Sequence, residues 1–366
     1  MKESLDGKAV DRIANSFALA YPAFDSTRFV ELACNGLDSK ELKQRVDHII
    51  DALVAVLPES FLECAAIIED VKLVWIKGND SDALQAFCAW PVIDFIAVKG
   101  ISHPRVALPL LRLVTSLFSA EFAIRPFLKA YPEISYEYLE SWVLDDNDDV
   151  RRLMSEGTRP RLPWASKLDC VIKKPERNIK LLAMLKNDSS LYVRRSVANH
   201  LNDIAKDHPD VVLDLCEAWY PKADENLKWL IKHATRTMVK TGESRVYPLL
   251  GFTAKPELAS IALRIETKKV ILGESVVFEV RVQSGIKEAQ SFVVDFSLDL
   301  VKANGKRQSK VFKLKNIVLA GRASLSVRKS MTIKEISTRR YYAGIQGVSI
   351  LVNGKVSAQE SFELVI

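Results

Sequence analysis

The sequence predicts a two-part chain of 366 residues, an all-α region of stacked helix pairs followed by an all-β sandwich. Apolar residues recur at helical spacing from Val10 to about Lys240, and alternation of apolar and polar residues replaces that spacing beyond about residue 255. The length also exceeds that of one ordinary domain. We therefore predict a multidomain protein with a helical domain over residues 1–254 and a β domain over residues 255–366.

The helical region divides into amphipathic segments separated by Pro, Gly, Asn and Asp, which are common at helix ends. Clear examples cover residues 41–58, 105–118 and 208–220. Period-2 alternation is nearly missing from this part of the sequence, so we expect it to be entirely helical.

One pattern returns within this region: an Asn/Asp-rich turn, an apolar residue, basic residues and a short amphipathic helix. Residues 145–159 and 186–203 place Val150 and Val193 in equivalent positions, and residues 225–236 resemble a degenerate third copy. A period of about 40 residues is typical of HEAT-like helix pairs, which bury their cores only by stacking. The prediction is a HEAT-like solenoid, or α-α superhelix, with a concave basic trough.

The pattern of apolar and polar residues changes after Lys240. Residues 241–260 contain two prolines and two glycines and are interpreted as a linker, and about seven short alternating strands follow. The dipeptides Asn304-Gly305 and Asn353-Gly354 are typical of hairpin turns. This spacing of strands favours an immunoglobulin-like sandwich without the cysteine pair of antibody domains.

Charge is distributed unevenly along the chain. Residues 255–366 hold 19 Lys and Arg against 10 Asp and Glu, whereas residues 1–254 hold 33 against 36. A basic module is compatible with a polyanion such as nucleic acid, but it is equally compatible with a role in solubility. Charge alone leaves both interpretations open.

Several classes of protein are disfavoured by the sequence. Its apolar runs are shorter than the roughly 18–20 residues of a membrane helix, and the N-terminus lacks the apolar core of a secretory signal, so we expect a cytoplasmic protein. The five cysteines are interpreted as reduced core thiols, and the five histidines show no spacing of metal ligands. Phosphate-binding and dinucleotide fingerprints are also missing, so we expect neither metal nor cofactor.

Four strings are more specific than fold class: FAIRPF at 122–127, VRRL at 150–153, SEGTRPRLPWA at 155–165 and YVRRSVANHLNDIAKDHPD at 192–210. With them, the helical region resembles the AlkC branch of the AlkC/AlkD DNA glycosylases. The resemblance implies a bacterial HEAT-like enzyme that removes cationic N-alkylated bases without flipping them fully into a pocket. Some AlkC-like proteins also carry a C-terminal immunoglobulin-like domain.

The chemistry that the resemblance implies points to carboxylates and tryptophans. A cationic base is already a good leaving group, so the enzyme has to stabilise the oxocarbenium ion of the sugar and place a water. When the two repeats are aligned on their valines, Glu156 lies where the next repeat has Asn199, in an otherwise basic row. Glu156 is therefore a catalytic candidate, and a surface ion pair with Arg152 is the alternative.

Two further residues are catalytic candidates by their position in the family-like strings. Glu121 is expected near the end of an element, because Ser119 is a possible helix cap and Pro126 disfavours helical conformation at Arg125. A helix-dipole role, or a pair with Arg125, is the alternative for Glu121. Trp164 follows a Pro-restricted stretch and is expected to face a ligand, the alternative being a cap on the core.

Basic residues near these candidates are expected to contact phosphates and to set affinity and its salt dependence. In the helical domain the candidates are six basic residues and one asparagine: Arg152, Arg159, Arg161, Lys167, Arg194, Arg195 and Asn199. In the β domain the candidates are Lys306, Arg307, Arg339 and Arg340. Solvated surface charges are the alternative for each of them.

The sequence and the resemblance together predict a monomeric, monofunctional DNA glycosylase that acts on double-stranded DNA containing alkylated bases. Bases of the 3-methylcytosine, 1-methyladenine and 3-methyladenine type are the expected substrates, and no lyase step is expected because an obvious catalytic lysine is missing. The alternative is a non-catalytic HEAT-repeat scaffold that binds structured DNA or a protein, since architecture alone supports either function.

Overall fold

The computed structural model describes residues 2–75, 85–336 and 339–366. Residue contacts divide the chain into two compact units, Met1–Asp207 and His208–Ile366. The second unit therefore contains helices as well as the whole β region. The domain boundary between residues 254 and 255 separates helices from strands within this unit, and as a folding boundary it stays a prediction.

The described part of the first unit is built mainly from α-helices, and helices that are close in the sequence pack against each other. Its helices are α1 (Gly7–Ala20), α2 (Ser26–Cys34), α3 (Leu42–Val56), α4 (Phe61–Val74), α5 (Trp90–Gly100), α6 (Pro104–Val114), α7 (Ile124–Ala130), α8 (Pro132–Trp142), α9 (Asp148–Gly157), α10 (Asp169–Lys173), α11 (Glu176–Leu185) and α12 (Leu191–Ile204). The second unit opens with α13 (Pro209–Trp219), α14 (Glu225–Ala234), α15 (Arg236–Thr241) and α16 (Val246–Leu249). The prediction of an all-helical N-terminal region is confirmed.

The sequence repeat corresponds to a structural one. Val150 and Val193 are each the third residue of their helix, α9 and α12, and both are buried. The degenerate third copy, α14, begins after Asp224, whose side chain accepts a hydrogen bond from the backbone N of Leu227, again the third residue. An N-cap followed by a buried apolar residue on the first turn fixes where each helix starts and which face it buries.

The structure corrects two local predictions around Glu121. Arg125 and Pro126 both lie inside α7, where Pro126 is the third residue and so belongs to the first turn of the helix, in which proline is tolerated. Ser119 does not cap this helix, since its hydroxyl donates to the Glu121 carboxylate at 2.8 Å. Glu121 itself lies in the turn before α7, at the end of an element as predicted.

The segment predicted as a linker is instead packed. Its apolar residues form α16, in which Val246 and Tyr247 are buried, and the Tyr247 hydroxyl donates to the Val239 carbonyl at 2.8 Å. The backbone N of Thr253 donates to the Ser291 carbonyl at 2.8 Å. The two glycines therefore mark turns, Pro248 lies inside α16, and the segment is not a free linker.

Within residues 208–336 and 339–366, eight strands form two sheets. They are β1 (Leu258–Ile265), β2 (Lys269–Ile271), β3 (Ser275–Ser284), β4 (Gln290–Val301), β5 (Arg307–Leu319), β6 (Ser324–Thr332), β7 (Gly344–Val352) and β8 (Lys355–Val365). One sheet has the order β1-β3-β6 and the other β2-β8-β7-β4-β5, with β2 parallel to β8. The predicted sandwich is confirmed, and the strand missing from the prediction, β2, is too short to show alternation.

Aromatic side chains fill the space between the two sheets. Phe278, Phe292, Phe296 and Phe362 are each at most 2% exposed, and the Phe278 and Phe296 ring centroids lie 5.2 Å apart. Both predicted Asn-Gly turns are present. Asn353 and Gly354 have φ values of 44° and 71° between β7 and β8, and Gly305 has a φ of 73° between β4 and β5.

Gly354→Ala is expected to lower the free energy of unfolding by about 2–3 kcal/mol, because both strain and a backbone clash oppose a Cβ. A Cβ at Gly354 would lie 2.2 Å from the Cα of Gly242, at the end of α15. Gly305→Ala is the matched control, since it has the same sign of φ and nothing within 4 Å, and should cost about 1 kcal/mol. Urea unfolding measures both, and equal losses would contradict a role for the close approach.

Candidate active site

A cleft of about 440 Å³ in the first unit contains all three predicted catalytic residues. Glu121 lies on the turn before α7, Glu156 on α9 and Trp164 on the loop that follows α9. Tyr192, in the first turn of α12, completes one side. Side chains from three successive parts of the helical stack therefore meet in one concave site.

Arg152 lies between the two glutamates. Its Nη1 is 2.6 Å from Oε2 of Glu121, and its Nη2 is 3.8 Å from Oε1 of Glu156. The guanidinium also lies over the Tyr192 ring, 4.8 Å from the centroid, and donates to the Ser119 hydroxyl. The surface ion pair considered for Arg152 and Glu156 is therefore a nearly buried triad, in which Arg152 holds both carboxylates.

Glu156 belongs to a row of alternating charges that continues beyond the cleft. Its Oε1 accepts from Nη1 of Arg159 at 2.6 Å, and Arg159 is 2.8 Å from Asp203, which in turn pairs with Lys206 at 2.8 Å. The Ser196 hydroxyl donates to Oε2 of Glu156 at 2.6 Å. The row runs Lys206, Asp203, Arg159, Glu156, Arg152, Glu121, and its formal charges balance.

The pKa values of the two carboxyl groups are shifted in opposite directions. Burial works to raise the pKa of Glu156, but Arg152, Arg159 and the Ser196 hydroxyl together hold it below its ordinary value. Burial raises the pKa of Glu121 above its ordinary value, and its one close cation, Arg152, does not offset that effect while Glu156 adds to it. Such a divergence is common where two carboxylates perform different tasks.

A neutral polar layer supports Glu156 from below. Nδ1 of His200 lies 2.8 Å from the Ser155 carbonyl, and Asn178 bonds to Tyr136 and to the Thr158 carbonyl. Complete burial lowers the pKa of His200 to about 4, so the ring is neutral at physiological pH. This histidine is a structural group that fixes α9 against α12.

Aromatic rings form a further part of the lining of the cleft, the aromatic wall. Phe87, Phe118 and Phe122 line the cleft and pack around Trp90, whose ring centroid is 5.0 Å from that of Phe122. The Trp90 indole N donates to Oδ2 of Asp94 at 2.8 Å, and burial raises the pKa of this carboxyl to about 7. The site thus pairs acidic groups with a flat apolar surface.

Trp164 is exposed and does not cap the core, and its contact with a ligand stays a prediction. Its side chain is 58% exposed at the rim of the cleft, and its φ of 64° lies in the left-handed region that non-glycine residues rarely adopt. Nζ of Lys43 donates to its carbonyl at 3.2 Å. Strain of this kind is concentrated at functional sites, where surrounding contacts maintain it.

The structure corrects the position predicted for three of the phosphate-binding candidates. Arg152 and Arg159 are held by carboxylates in the buried row, and Arg194 is 7% exposed and donates to the carbonyls of Asp188 and Ser189. Arg161 is half-buried and makes a two-pronged pair with Asp207. These arginines build the fold and the cleft, because carboxylates or carbonyl groups of the protein already bind their guanidinium groups.

Other basic candidates do lie at the surface. Lys167 and Arg195 are exposed, and Asn199 is half-buried. In the β region, Lys306 and Arg307 are exposed beside the β4–β5 turn, and Arg340 is exposed with its guanidinium 5.8 Å from the Tyr342 ring centroid. Arg339 is half-buried. Their contacts with phosphate stay predictions.

The sequence analysis missed residues that reach the site only in the folded structure and that the repeat pattern does not mark. Ser119, Ser196 and Tyr192 contact the triad, and the aromatic wall comes from α5 and from the turn after α6. Tyr192 could have been found, since it immediately precedes the valine that aligns the repeats. The serines carry no signal in the sequence.

The described residues show neither a metal site nor a membrane span. Within residues 2–75, 85–336 and 339–366, no group of three or more His, Cys, Asp or Glu is placed to hold a metal ion. None of the helices described in these ranges is long and apolar enough to cross a bilayer. All five cysteines are free thiols; Cys64, Cys88 and Cys216 are buried as predicted, whereas Cys34 and Cys170 are exposed.

Comparison with known proteins extends over the full chain. The family model described as "Uncharacterised protein YhaZ, C-terminal Ig-like domain" matches residues 260–366. YhaZ of Bacillus subtilis (strain 168) is 31% identical over 368 residues, covering 100% of this chain and 99% of that protein. The structure of Pseudomonas fluorescens alkylpurine DNA glycosylase AlkC, bound to DNA containing an abasic site analog, is 35% identical with a TM-score of 0.91, covering 100% and 99% of the two chains.

The fold and the site define the class as helical-repeat proteins that carry a two-glutamate cleft and an immunoglobulin-like domain. The full-length identities of 35% to AlkC and 31% to YhaZ then identify the family within this class. This chain belongs to the AlkC-type branch of the AlkC/AlkD family, to which its helical region shows resemblance in sequence.

Proposed function

We propose that this protein is a monofunctional DNA glycosylase that hydrolyses the N-glycosidic bond of cationic N-alkylated bases in double-stranded DNA. The observation that carries the proposal is the cleft in which two differently tuned glutamates face an aromatic wall and an exposed tryptophan. The full-length likeness to AlkC, an alkylpurine DNA glycosylase, supports the same activity.

The charge of the cleft suits a cationic substrate. Glu121, Glu156 and Asp149 line it against a single lining cation, Arg152, among the described residues. A base alkylated at a ring nitrogen is planar and positively charged, so it is attracted both to carboxylates and to aromatic faces. We infer that bases of the 3-methylcytosine, 1-methyladenine and 3-methyladenine type are substrates, and that an open cleft acts on them without full flipping.

The opposed pKa shifts suit Glu121 and Glu156 to different chemical roles. Glu156 is held ionised by Arg152 and Arg159, so it supplies fixed negative charge as the sugar develops oxocarbenium character. Glu121, with its raised pKa, is the better proton acceptor and is assigned to the attacking water. Trp164, at the rim, is assigned to contact with the lesion or its neighbour by stacking.

DNA affinity is assigned to basic side chains at the surface. These are the exposed Lys167 and Arg195 in the first unit, and the exposed Lys306, Arg307 and Arg340 with the half-buried Arg339 in the second. Each contact that neutralises a phosphate should weaken with salt. Lys167 is exposed and outside the set of residues that line the cleft, so an abasic product without strand cleavage is expected. We further propose that the protein acts as a monomer, without metal or cofactor, in the cytoplasm.

The proposal predicts release of the damaged base from an end-labelled duplex with one cationic methylated base. Alkali should then cut the strand at the abasic site, and without alkali the strand should stay intact. An undamaged duplex of the same sequence is the control. Tight binding to branched DNA with no base released would instead favour the scaffold function, and strand cleavage without alkali would contradict the monofunctional assignment.

A further inference from the structure

The buried side chain of Arg125, on α7, contacts three parts of the site at once. It is 2% exposed, and its guanidinium donates three hydrogen bonds to backbone carbonyls. Nη1 donates to Gly157 at 2.9 Å and to Arg159 at 2.8 Å, and Nη2 donates to Ser166 at 2.5 Å. One planar group therefore fixes three points of the backbone.

The three acceptors flank the loop that presents Trp164. Gly157 is the last residue of α9 and follows Glu156 directly, while Ser166 comes two residues after Trp164. The backbone N of Leu168 donates to the Pro160 carbonyl at 3.1 Å and closes the loop. Arg125 thereby joins the helix of Glu156 to both ends of the loop. These contacts hold the loop in which Trp164 has its left-handed backbone conformation.

Arg125 is also close in sequence to Glu121, which lies in the turn before α7. Glu121 lies one turn before Arg125, and a Cβ at Gly157 would lie 2.6 Å from Cγ2 of Ile124 and 3.7 Å from Cα of Glu121. The end of α9 is thus in direct contact with the start of α7. Arg125 bridges the same two elements through its hydrogen bond to the carbonyl of Gly157.

Burial of the charged Arg125 side chain opposes folding. Burial, together with the nearby Arg159, lowers its pKa to about 10, so the group still carries its charge at neutral pH. Its Nε has no hydrogen-bond partner within the described part of the chain. A buried charge with neutral partners costs folding free energy, whereas the rigid fork of a guanidinium fixes several acceptors in one geometry.

We propose that Arg125 is a positioning residue that sets the spacing of Glu121, Glu156 and Trp164 across the cleft. The proposal deepens the glycosylase function proposed above and rests on it where base release is measured. It also predicts a conformational effect on Trp164 that does not depend on catalysis.

The experiment compares Arg125→Met and Arg125→Lys with Arg105→Met, which removes a surface arginine paired with Glu137. Single-turnover base release at saturating protein should fall by about 100-fold in Arg125→Met, because displacement by about 1 Å has that effect. Arg125→Lys should retain more of the rate, since it keeps one donor group. The dissociation constant for a duplex with an abasic-site analogue should stay near the wild-type value, and Arg105→Met should match wild type.

A fluorescence measurement reports on the loop itself. Subtracting the emission of the matching Trp164→Phe protein isolates Trp164 in each background, and acrylamide should quench it more strongly in the Arg125 variants. Unchanged rate and unchanged quenching in folded Arg125→Lys and Arg125→Met would overturn the proposal. If Arg125→Met fails to fold, Arg125→Lys decides. If wild type releases no base, the glycosylase function fails and the quenching still decides the role of Arg125.

Discussion

Glu156→Gln should reduce the rate of base release by about 100- to 1,000-fold, the loss seen when a preorganised group that stabilises transition-state charge is removed. The side chain keeps its shape, and its amide oxygen can still accept from Ser196 or Arg159. What disappears is the negative charge that Arg152 and Arg159 hold in place. Binding to the duplex should persist, because phosphate contacts dominate affinity.

Single-turnover excision and a binding titration separate these two effects. Glu137→Gln is the matched control, because Glu137 is a surface glutamate paired with Arg105 at 3.2 Å and should tolerate the change. Circular dichroism excludes unfolding as the cause. A Glu156→Gln protein that releases base at the wild-type rate would remove Glu156 from the chemistry.

Glu121→Gln should reduce base release by about 100-fold or more, as expected when a positioned general base is lost. The pH dependence should identify the role. Glu121 must be ionised to accept a proton, and its pKa is raised by burial, so the wild-type rate should fall as the pH drops through a value above that of an ordinary glutamate.

The Glu121→Gln variant should lack that acidic limb while retaining a slow, pH-independent release. Glu41→Gln serves as the control, since Glu41 is an exposed partner of Lys2. The residual rate is measured between mild acid and neutral pH on a stable lesion. An unchanged acidic limb in Glu121→Gln would assign the titration to another group, and an unchanged rate would exclude Glu121 as the base.

Much of the architecture can be predicted because it is encoded locally. Val150 and Val193 occupy the same position in successive helices, and the Asn304-Gly305 and Asn353-Gly354 turns follow from the φ values that asparagine and glycine tolerate. Glu156 also stood out locally, as an acid where the next repeat has Asn199. The exposure of Trp164 followed from the prolines around it.

The environment of the site could not be predicted in the same way, because it depends on how the repeats stack. Arg159 looks like a surface cation in sequence, yet its partner Asp203 comes from the next repeat and takes it into the interior. Arg125 was expected outside a helix, and its three acceptors lie more than 30 residues further along the chain. Such contacts have no local signature.

The alternating row of charges from Lys206 to Glu121 also constrains how this family can diverge. Its interior members each contact an opposite charge on both sides, so a change at one position leaves a neighbour buried with an unmatched charge. Single substitutions here should be strongly non-additive. Relatives that abandon the chemistry but keep the fold should therefore have replaced these residues in oppositely charged pairs, a pattern of correlated change that aligned sequences would reveal.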